Sequence, residues 1–135
     1  MLWFVIVTLV ALSLLHGAWA ARLWWPIGNE LALARAVAGF PGVAAMPPPL
    51  ACAGVALALA LVASAATVVA LGADAWPPRA VVWAGAAVFL GRGIVGYTAP
   101  WHRATPEMPF RRLDARYYSP LCIVLGAGLA AGELA

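Results

Sequence analysis

The sequence predicts an all-α fold, a polytopic membrane protein built as a four-transmembrane-helix bundle. Three observations carry that expectation. Four long apolar runs divide the chain, at residues 2–21, 50–71, 80–97 (interrupted only by Arg92) and 121–131. Breaks rich in proline and arginine separate them. Composition agrees: 65% of residues are hydrophobic and 10% charged, with mean hydropathy +0.94. A soluble domain sits nearer half apolar and a quarter charged, and no water-soluble fold of this size could bury so much apolar surface. A run of about 18 or more apolar residues is long enough to cross the hydrocarbon core as a helix. The 135 residues allow one domain, residues 1–135.

The first helix is expected over residues 2–21. Ala18-Trp19-Ala20 resembles a small-x-small cleavage site, but no positive charge precedes the run. It is also longer than a signal-peptide h-region, so it reads as a retained span. Arg22 and Trp24-Trp25-Pro26 follow it. Tryptophan prefers headgroup depth, and proline stops a helix. In the long first loop, Asn29 can cap a short helix over residues 30–37, with Gly39 and Pro41 beyond it. Its apolar residues place it in the membrane interface.

Pro47-Pro48-Pro49 leads into the second span, residues 50–71, which carries no charge. A tight turn over residues 72–78 precedes the third, residues 79–97. A polar loop then holds three prolines and four arginines up to Arg116. Ser119-Pro120 reads as an N-cap and first helical residue opening the fourth span, residues 120–134. That helix would cover only about 22 Å, short for a bilayer. Gly128 and Gly132 form a G-x-x-x-G spacing that permits close helix packing.

Arginine counting orients the bundle. The first and third loops carry Arg22, Arg35, Arg103, Arg111, Arg112 and Arg116, and the opposite side carries only Arg79. The positive-inside rule puts those loops in the cytoplasm and both termini outside, in a bacterial cytoplasmic membrane. Trp3 and Trp76 would mark the outer interface, and Trp24, Trp25 and Trp101 the inner. The net charge of +3 comes from arginine alone, since lysine is absent. Its place in loops points to topology and membrane lipids as partners, not to nucleic acid.

Arg92 stands inside the third span, where a charge costs about 2.5–3.5 kcal/mol or more. Either it contacts an anion in a polar pocket, or its long stem lifts the guanidinium to the headgroups. Gly91, Gly93 and Gly96 flank it and would allow a backbone or ligand to come close. His16, with Trp19 one turn later on the same face, is expected at similar depth. It is either a pocket residue or a histidine bonded to a backbone carbonyl or a lipid phosphate. His102 is the only other histidine, so axial haem ligation lacks a partner. Cys52 and Cys122 are isolated, with no C-x-x-C and no zinc spacing. They read as buried reduced thiols. No cofactor or metal is expected. Phosphate-binding loops, H-E-x-x-H and nucleophile elbows are also missing from the sequence.

The run from Phe110 to Cys122 reads F-R-R-L-D-A-R-Y-Y-S-P-L-C. Together with His16-x-x-Trp19, Trp25-Pro26 and Arg92, it resembles the bacterial family called domain of unknown function 3995. The resemblance covers most of the chain. It implies a small four-helix membrane protein and implies no activity. Asp114 lies among Arg111, Arg112 and Arg116 and could pair with one of them or with Arg92. Tyr117 and Tyr118 suit headgroup depth.

These residues lead to one expectation and two alternatives. A membrane accessory or binding protein would hold an amphipathic or anionic ligand in a polar pocket made by His16, Trp19, Arg92, Tyr97, Asp114, Tyr117 and Ser119. An enzyme acting on a lipid-like substrate would use His16 as acid/base and Arg92 as electrophilic stabiliser. A structural subunit would pack its small-residue faces on a protein partner or on a second copy.

Overall fold

A computed structural model describes residues 1–135. It is all helical, and four helices are long and apolar enough to cross a membrane. The spans are α1 (Leu2–Ala20), α3 (Pro49–Ala70), α4 (Trp76–Val95) and a continuous rod, Phe110–Leu134. That rod consists of α6 (Phe110–Leu113), a π-helical turn (Asp114–Tyr118) and α7 (Ser119–Leu134). Two short helices, α2 (Glu30–Val37) and α5 (Ala99–Ala104), lie in the connections. The protein is therefore multi-pass.

Burial follows from which residues face the neighbouring helices. Val5, Ile6 and Leu9 of α1, Ala63 and Ala66 of α3, Val82 and Ala86 of α4, and Leu125 and Leu129 of α7 form the main core. The most extensive packing pairs α1 with α3 and α4 with α7. The outer faces stay apolar: Val7, Leu14, Leu57, Leu61 and Val88 are exposed. Exposed residues of this kind around a bundle suit lipid contact, whereas a water-exposed bundle would show polar faces there.

A second, smaller core forms where α2 folds back on the ends of α1 and α3. Trp19, Leu33, Ala34, Met46 and Cys52 are buried together. The Asn29 side chain accepts from the Ala32 amide at 2.9 Å, so the cap read from the sequence starts α2. Glu30 accepts from the Met46 amide and lies 3.6 Å from Arg22, tying the loop across itself. Cys52 is buried and Cys122 half-buried, both as free thiols.

Gly128 and Gly132 lie against Val5 and Leu2 of α1. The G-x-x-x-G spacing thus serves packing inside the chain, and that face is not open to a partner. These contacts also bring the two termini to one end of the bundle. The connections holding α2 and α5 lie at the other, arginine-rich end.

Element boundaries differ from the sequence reading at three places. The third span begins at Trp76, with Pro77 and Pro78 in its first turn, where proline's missing N–H costs nothing. Residues 99–104, read as loop, form α5 behind Pro100. The fourth span starts at Phe110 rather than Pro120, so its 25 residues extend about 37 Å and the expected shortfall disappears.

Candidate functional site

Arg92 lies in the last turn of α4, where a cation suits the helix dipole. Its Nη2 donates to Asp114 Oδ1 at 2.6 Å. Nη1 makes a longer contact, 3.4 Å, with Ser119 Oγ. The other Asp114 oxygen accepts from Trp101 Nε1 at 2.8 Å. The guanidinium carbon lies 4.6 Å from the centre of the Trp101 ring. Asp114 is buried, and 30% of the Arg92 side chain is exposed. Both carboxylate oxygens have donors and the cation has an anion and a π face. A charge pair is tolerated away from water under these conditions.

α5 brings Trp101 to this pair. Thr105 Oγ1 donates to the Trp101 carbonyl at 2.8 Å, and His102 Nε2 lies 3.0 Å from the Gly96 carbonyl. The short helix is thereby anchored to the end of α4. Gly96 is needed for close approach. A Cβ there would overlap Ser119 Oγ, whereas Gly91 faces open space.

The π-helical turn explains why Ser119-Pro120 does not start the fourth span. Proline inside an α-helix lacks an amide hydrogen and collides with the carbonyl four residues back. Here the Ser119 amide bonds the Asp114 carbonyl, an i to i+5 spacing. In the same pattern Pro120 would pair with the Ala115 carbonyl but has no hydrogen to give. Tyr97 Oη donates to that carbonyl at 2.9 Å instead. Proline, π turn and tyrosine thus make one arrangement, with Asp114 at its start. Ser119, expected as a cap, is buried against Gly93 and Gly96.

His16 and Trp19 stand apart from this cluster. Their ring centroids are 4.8 Å apart. His16 Nδ1 lies 2.8 Å from the Leu12 carbonyl, and Trp19 Nε1 donates to the Trp25 carbonyl at 2.9 Å. Trp19 belongs to the second core and His16 packs on its ring near the end of α1, and no hydrogen bond links either to Arg92. Of the residues read as one pocket, the structure joins Arg92, Asp114 and Ser119 directly and Tyr97 through Ala115. Tyr117 is exposed with Arg116 over its ring at 5.5 Å. Tyr118 reaches α2 through the Ala36 carbonyl at 2.9 Å.

Thr105 has no signal in the sequence, where Trp101 reads as an interfacial anchor and His102 as a second histidine with no role. The available signal was Pro100, which opens α5 in the same way that other prolines open spans.

The family described as protein of unknown function, DUF3995, matches residues 9–129. The chain belongs to that family. Its match takes in both the His16–Trp19 pair and the whole Arg92 cluster. Nothing among curated proteins and nothing among solved structures matches the chain.

Five arginines surround the arginine-rich end without a carboxylate partner. Arg35, Arg103, Arg111, Arg112 and Arg116 are all exposed, and the ion pairs involve only Arg22, Arg79 and Arg92. Cavities also lie elsewhere. One of about 290 Å³ is a groove between α1 and α3 beside Ser13 and Ser64. Another, about 270 Å³, is an open notch beside Arg79 and Glu133 at the opposite end.

Proposed function

We propose that this protein is a membrane accessory or binding protein whose arginine-rich end holds the anionic headgroup of an amphiphile. The observation that carries this reading is the set of five exposed arginines without acidic partners. Each basic residue near an anionic bilayer surface contributes about 1 kcal/mol. Arg111, Arg112 and Arg116 share the rod that Arg92 and Asp114 tie to α4. Arg92 acts through that framework, because its own guanidinium is taken by Asp114. Tyr97 and Tyr117 supply amphipathic rings beside the basic groups.

The same charges favour a cytoplasmic position for this end and an extracytoplasmic one for both termini, in a bacterial inner membrane. The enzyme reading is weaker. His16 is bonded to Leu12 within its own helix and shares no hydrogen bond with Arg92, so acid/base and stabiliser are not assembled around one atom.

Native mass spectrometry in mild detergent tests the proposal. Anionic phospholipid should co-purify with the wild type, and the Arg111→Gln/Arg112→Gln/Arg116→Gln variant should lose most of it. Equal anionic lipid on both proteins would overturn the reading.

A further inference from the structure

The opposite end of the bundle carries an arrangement that the arginine-rich end does not use. Glu133, in the last turn of α7, has a side chain with 0% exposure. A carboxylate there opposes the negative end of the helix dipole. Arg79 Nε donates to Glu133 Oε2 at 2.9 Å, and Arg79 Nη1 to Asp74 Oδ1 at 2.8 Å. Glu133 Oε1 is buried and has no hydrogen-bond partner. Buried polar atoms nearly always have one, so the second oxygen lacks a donor.

A cavity of about 270 Å³ adjoins this group, lined among others by Gly72, Asp74, Arg79, Gly132 and Glu133. Its walls come from the end of α3 and the segment after it, from the first turn of α4, which carries Arg79, and from the last turn of α7. Two helix C-termini border it and their dipoles favour a cation, offset in part by the N-terminus of α4. The local side chains hold two carboxylates and one guanidinium, a surplus of one negative charge. Arg79 also keeps N–H groups beyond those it spends on Asp74 and Glu133.

We infer that this notch binds a primary ammonium carried next to a phosphate, the chemistry of a phosphoethanolamine headgroup. The ammonium donates to Glu133, whose carboxylate turns its unpartnered oxygen toward it, and to Asp74. The phosphate takes the remaining Arg79 N–H groups. A divalent cation fits less well, because only two carboxylates are present and no third ligating side chain joins them. The exposed Trp76 at the start of α4 suits headgroup depth, where an aminophospholipid presents this group.

The test is retention of phosphatidylethanolamine against phosphatidylcholine, measured by native mass spectrometry on the full chain. Methylation of the choline nitrogen removes every N–H donor while keeping the charges. The wild type should prefer the ethanolamine lipid by about tenfold, the effect of one charge-assisted hydrogen bond. Glu133→Gln and Asp74→Asn should each bring the ratio toward one. Asp74 is 88% exposed, so its variant carries the test even where Glu133→Gln fails to fold. Displacement by millimolar glycerophosphoethanolamine would identify a site open to the free headgroup. Retained preference without displacement would identify the bilayer as the source. Equal retention of the two lipids by the wild type, or an unchanged ratio in Asp74→Asn, would overturn the inference. The triple arginine variant should leave this ratio unchanged, which separates the two ends.

Discussion

Arg92 and Asp114 join α4 to the π-helical turn by a 2.6 Å bond between side chains 22 positions apart. The bond fixes the exit of the third span against the entry of the fourth. Trp101 completes it from α5, so three elements meet at one carboxylate.

Removing one partner should therefore cost more than removing both. Asp114→Ala leaves a partly buried guanidinium and the Trp101 N–H without their acceptor, a loss of about 2–3 kcal/mol. Replacing both charges, as in Arg92→Met/Asp114→Leu, should recover a large part of that loss. Thermal unfolding in detergent measures each. A double variant no more stable than Asp114→Ala would show that the pair itself, and not the unpaired charge, sets the stability.

Two glycines next to Arg92 should behave differently. Gly96→Ala drives a methyl into Ser119 and should cost about 1–3 kcal/mol. Gly91→Ala has open space and gains helix propensity, so it should be neutral or stabilising by up to about 1 kcal/mol. The same unfolding assay reads both, and equal effects would contradict the close approach of α4 and α7.

Tyr97 and Pro120 should be coupled. Tyr97→Phe removes the donor to the Ala115 carbonyl, a loss of about 1 kcal/mol. Pro120→Ala restores an amide hydrogen that can take that carbonyl, so Tyr97→Phe should cost less in its presence. A double-variant cycle should give a coupling of about 0.5–1 kcal/mol. Strict additivity would show that the tyrosine does not stand in for the missing amide.

Orientation has a direct readout. A C-terminal alkaline phosphatase fusion should be active in cells and a C-terminal green fluorescent protein fusion dark. The reverse pattern would place the arginine-rich end outside.

His16→Gln should be nearly silent in stability and in lipid retention. Glutamine keeps hydrogen-bonding capacity for the Leu12 carbonyl without titrating. A lowered unfolding temperature or lost lipid in this variant would contradict a purely local role for His16.

The sequence by itself determined the four spans, because lipid leaves a backbone no hydrogen-bond partner except its own helix. It also determined the Asn29 cap, the unequal charge of the two ends, and Arg92 as the residue whose burial needs compensation. Asp114 was a candidate partner for Arg92, beside Arg111, Arg112 and Arg116, because it lies on the same side of the membrane. Each of these is local, or depends only on depth along the membrane normal, and hydropathy reports depth. Position around the bundle axis was decided by tertiary structure. Matching depth could not separate His16 from Arg92, which belong to different sides of the packing. Nor could spacing reveal that Gly128 and Gly132 serve α1, that Trp101 folds back on Asp114, or that Arg79 pairs with Glu133 54 positions away. Pro120 is the sharpest case. Its local chemistry says helix start, yet the packing of Ser119 under Gly96 and the Tyr97 hydroxyl at Ala115 keep the helix continuous through it. The physical reason is that a helix tolerates a missing hydrogen bond when a neighbouring side chain replaces it, and only the assembled bundle supplies that neighbour.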